Sequence, residues 1–206
     1  MTRFLLQAHA PTTGLAHVGT AIAIGTELQR RGHEVGIAYG GSQPELIEAT
    51  GLRRHPVAEV EPAREWSHGQ WFRSVEELSP VVDSHVDAIE SAGAEVVVAC
   101  HGVAGRLAAE IAGRPSLHVF HYLQTTSYAR SVSVNGDRLR DLRHPRRVSR
   151  VGRARIRRLR SGGTTPMRSA IAELRRERGL PEAGSGAIAG CPDSLVAIST
   201  APFLLP

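Results

Sequence analysis

Apolar residues along this chain switch between two spacings, and the switching lays out an architecture. Arg3 to His9, reading RFLLQAH, has the short apolar run of a buried strand, followed by a Gly/Thr-rich turn, APTTG, at 10–14. A helix is predicted from about Gly19 to Arg31, with Ile22, Ile24 and Leu28 as its buried stripe and Gly32 as its stop. Glu34 to Tyr39 reads as a second strand ending in Gly40 and Gly41, Pro44 to Thr50 as a short helix, and Leu52 to Val57 as a third strand. Glu59 to Gln70 is a loop carrying Pro62, Trp66 and His68.

The pattern then repeats with longer elements. Val75 to Ala92 places Leu78, Val81, Val82, Val86 and Ile89 at helical spacing, interrupted only by Pro80. Glu95 to Ala99 holds consecutive valines, the mark of a strand buried on both faces of a parallel sheet. Gly102 to Gly113 is a small-residue helix and Ser116 to Tyr122 a fifth strand. Strands alternating with helices predict an α/β fold: a doubly wound parallel sheet with helices on both faces, under the common strand order 3-2-1-4-5. Beyond Ser127 the alternation loosens. His144 to Arg160 fits a helix with Val148, Val151, Ile156 and Leu159 inward, Met167 to Gly179 is a clearer one closed by Gly179 and Pro181, and Ser194 to Ser199 is a last strand. No internal repeat occurs, so residues 1–206 are read as one domain.

Composition narrows the function classes. A chain of 206 residues, 41% hydrophobic and 22% charged, is large enough to bury a core and excludes a disulfide miniprotein, a collagen and a disordered tail. No apolar run approaches the roughly 20 residues of a membrane helix, and the first ten residues lack a signal peptide's pattern, so the expectation is a cytoplasmic protein with no membrane partner. Cys100 and Cys191 lie far apart and form no metal-ligand spacing; both are expected as free thiols, and no metal is expected. All 25 basic residues are arginine. Without lysine there is no usual phosphate-binding P-loop, no Schiff base to a pyridoxal cofactor and no lysine general base.

The arginines are unevenly placed. Arg138 to Arg160 holds eleven of them against one acid, Asp141, so that window carries about +10 and the remainder about −5. The segment 138–165 is expected to be a solvated, partly mobile amphipathic stretch. Eleven arginines could neutralise several phosphates, but the window has no aromatic for base stacking and no reader motif, which argues against nucleic acid as a partner.

In a doubly wound sheet, ligands sit beyond the carboxyl ends of the strands where strand order reverses. That places the loop GLAHVGT, 14–20, opposite the turn CHG, 100–102, and makes His17 and His101 the candidate catalytic residues, because an imidazole titrates near neutral pH and can take a proton from a hydroxyl. Thr13, Gly14, Cys100, His121 and Tyr122 are expected to line the same strand ends, with Trp66 and Trp71 offering a flat apolar wall to a ring-bearing ligand. His9, His118 and His121 lie on or beside strands, where a core or crevice-lining role is the simpler reading. Gly14 and Gly19 do not have the G-x-G-x-x-G spacing of a dinucleotide site; they are expected to turn the chain sharply into a helix whose N-terminus faces the crevice.

With these pieces in place, the chain resembles the N-terminal, acceptor-binding domain of a GT-B glycosyltransferase of the natural-product, UDP-glycosyltransferase-like kind. The resemblance runs from RFLLQAHAPTTGLAHVGTAIAIGTELQRRGHEV at 3–35 to PDSLVAISTAPFLLP at 192–206, with RGHEV at 31–35 and LRRERGLP at 174–181 similar to recurring family strings. It implies a Rossmann-like half of a GT-B fold. In the family the first βα loop commonly reads G-H-x-x-P, its histidine being the base that deprotonates the acceptor hydroxyl; here the stretch is A-H-V-G-T, with His17 at the histidine and Thr20 where proline is usual. An aspartate at the end of the fourth strand often orients that histidine, and here Cys100 stands at that position with His101 after it.

The resemblance further implies a small-molecule hydroxyl acceptor, no cofactor, and a nucleotide-sugar co-substrate bound mainly by a C-terminal donor-binding domain or subunit. The chain is expected to lack that donor domain and to be unable to transfer sugar unaided. A noncatalytic auxiliary or binding subunit of the same fold, docking on an active transferase, is the alternative that Cys100 leaves open.

Overall fold

The computed structural model describes residues 1–8, 15–58, 72–100, 103–121, 166–182 and 194–199. In chain order the elements are β1 (Arg3–Ala8), α1 (Leu15–Arg30), β2 (Glu34–Tyr39), α2 (Glu45–Glu48), β3 (Arg53–Pro56), α3 (Val75–Ser91), β4 (Val96–Cys100), α4 (Val103–Ile111), β5 (Ser116–His121), α5 (Pro166–Glu177) and β6 (Ser194–Ser199). The six strands form one sheet in the order β3-β2-β1-β4-β5-β6, every neighbouring pair parallel. The expected order 3-2-1-4-5 is therefore present, and the last strand extends it beside β5. The helix expected at 144–160 and the loop at 59–70 lie outside the described residues.

A parallel sheet has to be covered on both faces, and the alternation of side chains decides what each face meets. Leu6, Ala8, Val35, Ile37, Tyr39, Val98, Cys100 and Val119 turn to one side, where Val18 and Ala21 of α1 and Ile47 of α2 close over them. Leu5, Ala38 and Val97 turn to the other, under α3, α4 and α5, which contribute among others Leu78, Val82, Leu107 and Leu174. The valines of β4 behave as their run predicts: Val97 and Val98, adjacent in sequence, are both buried, on opposite faces.

Two details of α1 depart from the sequence reading. First, α1 begins at Leu15, not near Gly19, because Val18 adds a fully buried contact that extends the apolar stripe back by one turn. Gly19 is accordingly an exposed helix-interior residue with open space around it and makes no turn. Second, Ile22, Ile24 and Leu28 are only half-buried at the edge of the stripe; Val18, Ala21 and Gly25 lie closest to the sheet, and a Cβ at Gly25 would come within 3.1 Å of Leu52. The helix expected over Val75–Ala92 is present as α3 and continues through Pro80, which is exposed and gives up only the hydrogen bond its missing N–H would have made to Glu76.

The α4 side of the sheet also carries polar groups. Arg175 of α5, 2% exposed, donates from Nη1 and Nη2 to both carboxylate oxygens of Glu110 on α4 at 2.5 and 2.6 Å, and from Nε to the Pro181 carbonyl at 2.8 Å. His118 of β5 is buried, with Nε2 3.0 Å from the Ser116 hydroxyl, in keeping with the core reading of this histidine. Burial first, and then the Arg106 guanidinium, push its pKa down to about 4. His85 on α3 is likewise held down at about 4 by burial alone, and its Nδ1 has no hydrogen-bond partner.

Two stability predictions follow from these groups. Both histidines are neutral in the fold but return to about 6.5 when the chain unfolds, so between those values the unfolded state binds more protons. Stability should fall as pH drops from about 6.5 towards 4, by roughly 2–3 kcal/mol per pH unit near pH 5; urea midpoints across that range measure it, and His85→Leu should flatten the slope by about half. Arg175→Met should destabilise by about 3–5 kcal/mol by leaving Glu110 without its buried partner, and adding Glu110→Leu should recover most of the loss.

Candidate functional site

The site is assembled where β1 and β4 end side by side. Ala8, the last residue of β1, pairs with Cys100, the last of β4, and Cys100 pairs with Val119 of β5. On the far side of β1, Gln7 pairs with Ala38 of β2, which puts Tyr39 next in line. The carboxyl edge therefore presents a buried row of Tyr39, Ala8, Cys100 and Val119 towards α1. One residue back, and facing α4 instead, runs a second row of Ala38, Gln7, Ala99 and His118.

His17 is the third residue of α1. The chain leaves β1 at Ala8 and enters α1 at Leu15, so the first turn of the helix lies at the carboxyl edge of the sheet, as the βα connection requires. Val18 is pinned into the core at 1% exposure, which fixes the helix rotation, and the adjacent His17 is half-buried. The sequence reading put His17 in a loop; the structure puts it on a regular helix, a stiffer mount. The first turn holds no acidic residue.

Cys100 is completely buried, and its thiol is pushed up to about 12 by loss of solvation. It is a neutral group at any physiological pH and supplies no negative charge to an imidazole. The β5 backbone reaches His121, which pairs with Ser199 of β6. Thr13, Gly14, Trp66, Trp71, His101 and Tyr122 lie outside the described residues. Of the expected constellation, then, the structure brings His17 and Cys100 to one end of the sheet, with His121 closing the strand two places along.

Gln7 is a residue that the sequence reading passed over. It is 2% exposed, and neither its amide oxygen nor its amide nitrogen has a hydrogen-bond partner. The carboxamide lies against the first turn of α4, where a Cβ on Gly105 would sit 2.1 Å from Oε1. The signal was in the strand itself: in RFLLQA, period-two alternation sets Gln7 on the same face as the buried Leu5. Among the described residues no group of three or more His, Cys, Asp or Glu side chains could hold a metal ion, and no helix is long and apolar enough to cross a membrane.

Solved structures share this architecture. Glycosyltransferase VinC, in complex with DTDP, superposes with a TM-score of 0.55 at 16% identity, over 96% of this chain and 49% of that one. SsfS6, a glycosyltransferase of Streptomyces sp. SF2575, gives 0.55 at 14% identity over 100% and 52%. The spinosyn forosaminyltransferase SpnP gives 0.54 at 17% identity over 88% and 42%. No protein-family model matches the chain, and no curated protein matches it by sequence. The chain spans about half the length of the structures it resembles. Its doubly wound sheet, its strand order and these superpositions together give it a GT-B glycosyltransferase-like fold, over a length equal to about one half of such a protein.

Proposed function

We propose that this chain is the acceptor-binding half of a glycosyltransferase that moves a sugar from a nucleotide-sugar donor to a hydroxyl of a small natural product, with His17 as general base. The observation that carries the reading is the placement of His17 on the first turn of α1, at the end of the sheet where β1 and β4 part company with their order. This is the position at which doubly wound sheets hold ligands. The residue there is half-buried, and the reading takes its imidazole to face the acceptor.

The step is a direct displacement. A ring nitrogen of His17 takes the proton of the acceptor hydroxyl as its oxygen bonds to the anomeric carbon, and the bond from that carbon to the donor's diphosphate breaks with the electron pair leaving on phosphate oxygen. The donor is held by a partner domain or subunit. Closing the two around the reactants orients them and excludes water, effects together worth several kcal/mol of barrier. No cofactor takes part. The family's orienting carboxylate is replaced by the neutral Cys100, so the imidazolium formed in this step is stabilised less than by a paired carboxylate. That same observation favours one second reading, an auxiliary subunit of this fold that docks on an active transferase. The reading further takes the protein to be cytoplasmic and to bind neither nucleic acid nor membrane.

Two measurements test the proposal. In the complete enzyme, His17→Ala should reduce turnover by about 10²-fold or more; unchanged turnover refutes the assignment and leaves the auxiliary reading. Calorimetry on the 206-residue chain should show heat of binding with polyphenolic or polyketide aglycones and none with nucleotide sugars, and the reverse pattern would overturn the acceptor assignment.

A further inference from the structure

Gln7 poses a physical problem that the acceptor reading does not use. Both ends of its carboxamide are shut away from solvent and without a hydrogen-bond partner, a state that native interiors rarely tolerate without a reason. Its neighbours in register, Ala38 and Ala99, are small, and neither side chain carries a polar atom. Above it, Gly105 has no side chain, so nothing stands between the carboxamide and the main chain of α4's first turn. The N–H groups of a helix's first turn have no intrahelical acceptor, and they give that end of the helix partial positive charge. The buried amide therefore packs against the flank of the helix's first turn, one residue short of the end of β1 and next to the edge where ligands enter such sheets.

We propose that the Gln7 carboxamide and the first turn of α4 form a subsite for a ligand hydroxyl, on the opposite face of β1 from the one that α1 covers. The class of group follows from the donor and acceptor inventory. An amide offers one acceptor oxygen and one donor nitrogen. A carboxylate or phosphate would satisfy only the nitrogen, whereas a hydroxyl accepts from Nε2 and donates to Oε1, and its second lone pair can take an N–H of the helix. The unliganded chain bears the cost of the orphaned amide, and the bound hydroxyl removes it. The inference rests on the acceptor-pocket reading for where the hydroxyl comes from, and on Gln7 alone for the stability effect.

The two dependences are separated by one experiment on the 206-residue chain. Thermal melts of wild type and Gln7→Met are compared, with Gln7→Leu as a second apolar variant, and calorimetry is run on each with a polyhydroxylated flavonol and its fully O-methylated counterpart. An orphaned amide predicts that the apolar variants melt higher, by about 2–8 °C. The subsite predicts that wild type prefers the free hydroxyls by about tenfold or more and that Gln7→Met loses this preference. Variants that melt lower or fail to fold overturn the proposal, since the amide is then already satisfied in the free protein. Variants that melt higher but keep the preference overturn it too, while leaving the acceptor pocket standing. Wild type that binds neither probe overturns the pocket reading, and the ligand assignment made here falls with it.

Discussion

The structure depends on β1 being buried on both faces. Leu5 and Leu6 are each fully inaccessible, on opposite sides, and β1 pairs in parallel with β2 and β4. Parallel neighbours cannot be joined by a tight turn, so each connection has to cross the sheet, and the helices that cross it supply the apolar cover. Because β2 lies on one side of β1 and β4 on the other, the helix following β1 crosses one face while those flanking β4 cross the other. The reversal of strand order at the carboxyl edge between β1 and β4 is a consequence of that division, and α1 carries His17 on its first turn at that edge.

A second consequence is the separation of two kinds of interior. Beneath α1 and α2 the core is apolar, with Cys100 behaving as a small hydrophobe and its thiol held neutral. Beneath α4 and α5 the sheet meets a layer that includes Gln7, His118, Arg106, Glu110 and Arg175, all of them buried or nearly so. An ion pair in such a place contributes little net stability over apolar packing, but it penalises misplacement of α5 heavily. The Arg175 fork to Glu110 and the Pro181 carbonyl thus fixes where the chain returns to the sheet before forming β6.

Much of this was legible in the residues. The strand spans at 34–39 and 194–199 are met to the residue, and the valine run at 96–98 announced a strand buried on both sides. Where the reading slipped, a glycine was the cause. Gly19 suggested a turn because glycine lowers helix propensity by roughly 1 kcal/mol, but burial of Val18 outweighs that cost and pulls the helix start back to Leu15. Pro80 did not mislead, because the apolar spacing of Leu78, Val81 and Val82 across it outweighs the one lost hydrogen bond, and the expected helix is present. Through topology the sequence indicated that His17 and Cys100 stand at the same end of the sheet, as they do. It could not indicate the orphaned state of Gln7, which depends on Gly105 standing opposite, a contact between residues nearly a hundred positions apart.

Whether the imidazole on the first turn of α1 meets the reacting hydroxyl can be seen in a crystal structure of the chain with a bound hydroxylated aglycone. If His17 is the base, a ligand hydroxyl oxygen will lie within about 3 Å of one of its ring nitrogens, at the carboxyl edge between β1 and β4. A ligand seated elsewhere, or a His17 ring packed among side chains and turned from the bound hydroxyl, would contradict it.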